Sequence, residues 1–412
     1  MRVLLSTYGS RGDVQPLAGL GLALQALGAE ARVSAPADAE FTALLDRAAV
    51  PLAPAFAPVR QWIEMAKQSG MGLPQLAAKI VPAQFDAIAA AAEGCDAIVA
   101  TGLFPSTAAA QSVAEKLGIR YVLATFCPLI LPSPHHPPFE YPGWPHPPEV
   151  TDNLALWELN FQAMNALFGE AVNTHRASIG LPTLANVRDH VFTRRPWLAS
   201  DPVLSPWQPT DLLDTVQTGA WILPDARPLP TELEAFLDAG ELPVYVGFGS
   251  MAMIASGDAA RVAIEAVRAQ GRRVILAQGW ANLALIDDRD DCFAVGEVNQ
   301  QALFGRVATV VHHGGAGTTT AAARAGAPQV VVPQVADQPY WAHRVADLGI
   351  GAAHDGPVPT VESLSAALRT ALAPETRERA AAVAGTIRTD GATVAAKLLL
   401  DAVRQGRPQA SA

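Results

Sequence analysis

Two rhythms of apolar and polar positions alternate along this chain. Short apolar runs at 2–6, 30–34, 97–100 and 120–125 in the first half, and at 244–248, 274–277, 308–311 and 329–332 in the second, read as buried parallel strands. Between them lie Ala- and Leu-rich stretches whose apolar residues recur at helical spacing. Helices are predicted over 14–27 and 107–117, each stopped by a glycine, Gly28 or Gly118. Others are predicted over 258–269, 338–348 and 391–403, and one begins near Ala316. Strand and helix in steady alternation, in both halves, predict α/β sheets.

Two sections break the rhythm. Residues 128–148 hold nine prolines, with His135, His136, Phe139, Tyr141, Trp144 and His146 among them. That proline density excludes a central strand or a regular helix, and a loop of this length points to function. A second proline-rich section covers about 201–230. The expected division is a first domain at 1–205, a linker at 206–230, a second domain at 231–390, and a C-terminal helix from 391 to 412.

With 412 residues and 50% hydrophobic content, the chain is large enough to bury two cores. Its 29 Lys and Arg against 39 Asp and Glu leave a net charge of −10, which argues against nucleic acid or anionic lipid as partner. Cys95, Cys127 and Cys292 lack metal-type spacing and fit a reducing compartment. There is no signal-peptide pattern and no apolar run of spanning length, so a cytoplasmic protein is expected.

The richest chemistry lies at 310–320, Val-Val-His-His-Gly-Gly-Ala-Gly-Thr-Thr-Thr. A strand that breaks into glycines and feeds a helix exposes backbone N–H groups and the positive end of the helix dipole, which suits a phosphate. His313 stands at the mouth of that turn, either as a diphosphate contact or as a packed strand-end residue. The next strand ends in a loop carrying Asp337 and Gln338, placed for sugar hydroxyls or simply for capping the following helix. In the first half, Gly9-Ser-Arg-Gly-Asp13 follows the opening strand. Asp13 there is an N-cap or, on the rim where open α/β sheets bind ligands, a general base.

The spacing of His313, Gly315 to Thr318, Asp337 and Gln338 resembles the donor motif of nucleotide-sugar-dependent glycosyltransferases of the GT-B fold. Gly-Ser-Arg-Gly-Asp-Val-Gln-Pro at 9–16 is similar to the opening loop of antibiotic and sterol glycosyltransferases. Phe-Cys-Pro-Leu-Ile-Leu-Pro-Ser-Pro-His-His-Pro-Pro at 126–138 and Gly-Ala-Trp-Ile-Leu-Pro at 219–224 resemble the vancomycin-group glycopeptide glycosyltransferases, a likeness covering essentially the whole chain. The resemblance implies two Rossmann-like domains facing each other across a cleft. It implies an inverting, metal-independent enzyme that moves a deoxy- or aminodeoxyhexose from a dTDP- or UDP-sugar to a hydroxyl of a glycopeptide aglycone, with no cofactor beyond that co-substrate.

By the same resemblance Asp13 is the catalytic base, with Ser10 beside it. Ser250, Glu297, Val298, His313, Gly315, Ala316, Gly317, Thr318, Asp337 and Gln338 bind the donor, and Trp280 borders that pocket. Arg11, Pro134, His135, Phe139 and Trp144 are expected to meet the acceptor. Where the plant-type motif has a Glu on the ribose hydroxyls, this chain has Ala321, which favours a thymidine donor. A sterol, macrolide or other polyketide acceptor, a sugar-nucleotide 2-epimerase and an inactive auxiliary protein are the alternatives. A monomer is expected.

Overall fold

The computed structural model of the chain describes residues 1–141, 143–249, 258–279 and 283–406. Its first sheet joins β1 (Arg2–Tyr8), β2 (Glu30–Ala35), β3 (Leu52–Pro54), β4 (Ala97–Gly102), β5 (Arg120–Thr125), β6 (Trp197–Leu198) and β7 (Val216–Gln217). All pairings are parallel, in the order β3-β2-β1-β4-β5-β6-β7. The second sheet joins β8 (Val244–Val246), β9 (Val274–Ala277), β10 (Cys292–Val295), β11 (Thr309–His312), β12 (Gln329–Val331) and β13 (Gly351–Ala353). It too is all parallel, in the order β10-β9-β8-β11-β12-β13. Both sheets are wound outward from their first strand, the Rossmann order, so each has a switch point at the carboxyl ends of neighbouring strands: β1 and β4, and β8 and β11.

The eight apolar runs read from the sequence are all strands, because a parallel sheet covered on both faces demands near-continuous apolar segments. Residues 3–8 of β1 are all buried. The strands that the periodicity does not mark, β3, β6, β7, β10 and β13, are two to four residues long.

Two compact units result. One gathers 1–201, 207–223 and the chain from 388 onward; the other gathers 202–206 and 224–387. Most of the stretch expected as linker thus belongs to the first unit, where Val216–Gln217 extends the sheet, and 224–230 lead into the second. The helix Gly391–Gly406 packs on the helix Arg11–Ala26. Glycine makes that junction possible. A Cβ on Gly391 would overlap the backbone of Gly219 and Ala220, and one on Gly19 would lie 3.0 Å from the Ile222 carbonyl. Gly391→Ala is therefore expected to destabilise the first unit by about 1–3 kcal/mol, the range for a buried overpacked contact, read as a lower urea midpoint. An unchanged midpoint would mean that this contact is slack.

Among the described residues, no helix is long and apolar enough to cross a membrane.

Candidate active site

In the first unit the loop after β1 is a capping box. The helix begins at Arg11, not at Val14 as the periodicity predicts, because Ser10 is its N-cap and Asp13 its third residue. Ser10 Oγ accepts the Gly12 N–H at 3.1 Å, and Asp13 Oδ2 accepts the Ser10 N–H at 2.8 Å, with the Ser10 hydroxyl 3.4 Å away. Reciprocal capping of this kind satisfies two orphan donors of the first turn. It also fixes the carboxylate at the carboxyl end of β1, against Gly9, where a Cβ would overlap it. Asp13 is partly exposed, so it is held without being buried. Arg11 donates from Nε to Gln15 Oε1 at 2.9 Å along its own helix.

The Pro-rich loop of the same unit divides by side. His136 turns inward: its ring meets Trp157 and Trp207, and its carbonyl accepts the Trp157 indole N–H at 2.9 Å. Tyr141 packs on the core beside Phe168. Pro134 and His135 stay exposed, Phe139 is half-buried against Tyr141, and Trp144 is 42% exposed. One segment thus both anchors itself, through His136 and Tyr141, and presents a surface, through His135 and Trp144.

In the second unit β11 ends in two histidines with different surroundings. His312 is 0% exposed. Its Nδ1 accepts the Gly314 N–H at 3.1 Å, which requires the proton on Nε2, and Nε2 lies 2.9 Å from Gln329 Oε1. This residue, passed over in the sequence reading, locks the turn. Gly314 has φ +94, and a Cβ there would press on Val331 and on the Gln338 carbonyl, so only glycine fits. Burial depresses the His312 pKa to about 3 and the His313 pKa to about 4.

Both imidazoles are thus neutral at pH 7, and the sign of their effect on stability follows. Each binds a proton in the unfolded chain below about pH 6.5 but not in the folded one, so stability falls as pH drops from 6.5 toward 4. We expect the urea midpoint to fall over that range. His312→Asn, which keeps an acceptor for the Gly314 N–H, should have a shallower decline. Equal slopes would show that His312 does not titrate on unfolding.

His313 lies at the mouth of the turn, partly exposed. Its ring rests on backbone from two strand ends: a Cβ on Gly249 would sit 3.2 Å from its Cε1, and one on Gly315 would sit 2.7 Å from its Nε2. Its Nδ1 has no partner among the described residues. The helix Ala316–Arg324 starts from Gly315 without a side-chain cap. Thr319 and Thr320 turn their hydroxyls back to the Gly315 and Ala316 carbonyls, whereas Gly317 is exposed and a Cβ there would meet nothing. Neutral imidazole, glycine backbone and a helix N-terminus without a side-chain cap together offer N–H donors of the kind that suit an anion.

Beside it, Gln338 is buried. Its Oε1 accepts the backbone N–H groups of Gln334 and Val335 at 2.7 and 3.1 Å. Asp337 precedes the helix Gln338–Asp347 and accepts the Trp341 indole N–H at 2.8 Å. Burial raises its pKa, opposed by that bond. The residues expected on the donor side, His313, Gly315 to Thr318, Asp337 and Gln338, therefore lie together around the ends of β11 and β12. Glu297 and Val298 lie elsewhere on the same sheet, after the edge strand β10, where Glu297 pairs with Arg227 at 3.2 Å and Val298 packs on the core. Asn299 holds the carbonyls of Asp225 and Arg227. Ser250 and Trp280 lie outside the described residues. Among those described, no cluster of His, Cys, Asp or Glu has the form of a metal site.

Residues 274–394 match the family model of the erythromycin biosynthesis protein CIII-like C-terminal domain. The vancomycin aglycone glucosyltransferase of Amycolatopsis orientalis is 56% identical, over 100% of both chains. The dTDP-epi-vancosaminyltransferase of the same organism is 52% identical over 99% of each. The solved glycotransferase of kitacinnamycin shares the fold, with a TM-score of 0.72 at 20% identity, covering 97% of this chain and 98% of that one. The chain belongs to the vancomycin-group glycopeptide glycosyltransferases, hexosyltransferases of the GT-B fold.

Proposed function

We propose that this enzyme transfers a deoxy- or aminodeoxyhexose from a thymidine diphosphate sugar, or its uridine counterpart, to a hydroxyl of a glycopeptide aglycone, with inversion at the anomeric carbon. The observation that carries the reading is the turn after β11. There His313, the Gly315–Gly317 backbone and an uncapped helix N-terminus surround one mouth, and Asp337 and Gln338 stand beside it. A diphosphate leaving group develops charge as the glycosidic bond to it breaks, and preorganised N–H donors stabilise that charge without reorganising. The names of the two relatives, one a vancomycin aglycone glucosyltransferase and the other a dTDP-sugar enzyme, support the acceptor and donor classes.

In this reading the acceptor oxygen attacks the anomeric carbon as the diphosphate departs, and Asp13 takes the acceptor's proton. A phenolic hydroxyl, with its pKa near 10, needs less help from a base than an alkyl alcohol does. The neutral His313 donates a hydrogen bond to a diphosphate oxygen, and Asp337 and Gln338 read the sugar hydroxyls. Ala321 leaves a ribose 2′-hydroxyl unread, which favours thymidine. We further propose that the enzyme works as a cytoplasmic monomer with no metal or cofactor beyond the nucleotide sugar.

A panel of glycopeptide aglycones crossed with thymidine and uridine diphosphate sugars, read by mass spectrometry, tests the proposal. It requires an aglycone heavier by one hexosyl residue and free nucleoside diphosphate. Isomerised nucleotide sugar with no acceptor consumed would replace it with epimerase chemistry. Glycosylation of a macrolide or sterol, with every aglycone untouched, would move the acceptor class.

A further inference from the structure

An aspartate before a helix ordinarily turns its carboxylate onto the backbone N–H groups of the first turn. Asp337 does not: it precedes Gln338–Asp347 with φ −81 and ψ −5 and makes no side-chain cap bond. The residue before it, Ala336, has φ +57, a left-handed conformation that costs a non-glycine residue free energy and persists only when its surroundings enforce it. Two side chains of the following helix enforce it. Gln338 takes the N–H groups of Gln334 and Val335, and Trp341 donates its indole N–H to Asp337 Oδ2. Trp341 is 1% exposed, seated among Leu204, Val331 and Val345, so its N–H is aimed by the core. Besides the indole, the Asp337 carboxylate meets its own backbone N–H, and Oδ1 has no side-chain partner among the described residues. An indole holds a carboxylate oxygen without adding a positive charge, whereas an arginine or lysine there would neutralise the group meant for a ligand.

We propose that Trp341 is a positioning residue of the transfer reaction: it holds one oxygen of Asp337 so that the other is presented to a hydroxyl of the donor sugar. The inference rests on the reading that Asp337 contacts that sugar. It places specificity one shell behind the contact, in a residue that touches no substrate. It also accounts for a cap bond left unmade and a left-handed alanine retained in the same loop.

Two substitutions separate the indole's bond from its bulk. Trp341→Phe keeps most of the packing and removes the N–H. Trp341→His places an N–H at the same position on a five-membered ring and removes the packing. Calorimetry of each with thymidine diphosphate glucose and with thymidine diphosphate alone, beside Asp337→Ala, gives the reading. We expect Trp341→Phe to weaken the sugar nucleotide about tenfold, the effect of one charge-assisted hydrogen bond, and to leave thymidine diphosphate affinity intact. Trp341→His should bind the sugar nucleotide better than Trp341→Phe despite a lower melting temperature. In Asp337→Ala, adding Trp341→Phe should cost nothing more, since the shared bond is already gone.

A loss for Trp341→Phe that is equal for both ligands, or sugar-nucleotide affinities that follow melting temperature across the two variants, would make Trp341 a core residue only and overturn the proposal. So would wild-type affinity in Trp341→Phe beside a clear loss in Asp337→Ala, which would leave the sugar reading standing. If Asp337→Ala itself bound both ligands normally, the sugar reading and the proposal would fall together.

Discussion

Replacing Asp13 with alanine is expected to lower the turnover number by about two orders of magnitude or more, the usual cost of losing a general base. Thymidine diphosphate affinity should stay as in the wild type, because the diphosphate contacts we propose all come from the second unit. Alanine alone gives an ambiguous result, since Asp13 also closes the capping box with Ser10. Losing the reciprocal cap costs about 1 kcal/mol of helix stability and would let the loop after β1 fray. Asn resolves this, because its side-chain oxygen can still accept the Ser10 N–H, yet it cannot take a proton from an acceptor. Asp13→Asn should therefore melt near the wild type and be as slow as Asp13→Ala. Near-normal turnover in Asp13→Asn at neutral pH would reduce Asp13 to a helix cap, and another base would be needed.

The second large effect is expected at His313. Alanine there should weaken thymidine diphosphate by about ten- to a hundredfold, the value of one or two hydrogen bonds to a charged oxygen, and slow sugar transfer as well. The two losses belong together because one contact serves the bound diphosphate and the leaving group. Burial holds the imidazole neutral, with its pKa near 4, so it contributes a directed N–H rather than a cation. His313→Gln, which keeps a neutral N–H donor, should recover part of both losses, and isothermal calorimetry with single-turnover rates measures them. An unchanged dissociation constant in His313→Ala, with normal turnover, would make His313 a packed strand-end residue.

Much of this site was legible in the sequence because glycine marks it. The break from Val311 through Gly314 and Gly315 into an Ala-rich helix announces strand, turn and helix N-terminus together. Adjacent histidines were harder, since neighbouring strand residues point to opposite faces and composition cannot say which is inside. Burial sorts them: His312 locks the turn and His313 meets the mouth. The sequence does not mark Ser10 as the N-cap, because the apolar period starts at Val14 while the hydrogen-bonded helix starts three residues earlier. Trp341 was passed over because an indole in an amphipathic helix looks like core, and its bond to Asp337 exists only in three dimensions. In the Pro-rich loop, the sequence could not separate His136 and Tyr141, which anchor it, from His135 and Trp144, which stand outside.

Gly391 and Gly219 meet in a unit whose parts are far apart along the chain. During synthesis β1 and the helix Arg11–Ala26 are made long before the helix Gly391–Gly406 that packs on them. The second unit, complete by residue 387, is contiguous except for 202–206 and can close while the first still waits for its final helix. The helix Arg11–Ala26 must therefore hold an apolar flank uncovered until residues 391–406 emerge, a state prone to aggregation. A ribosome stalled just short of Gly391 would carry a nearly complete second unit beside an unfinished first one. Co-translational chaperone demand should accordingly last until residues 391–406 have emerged.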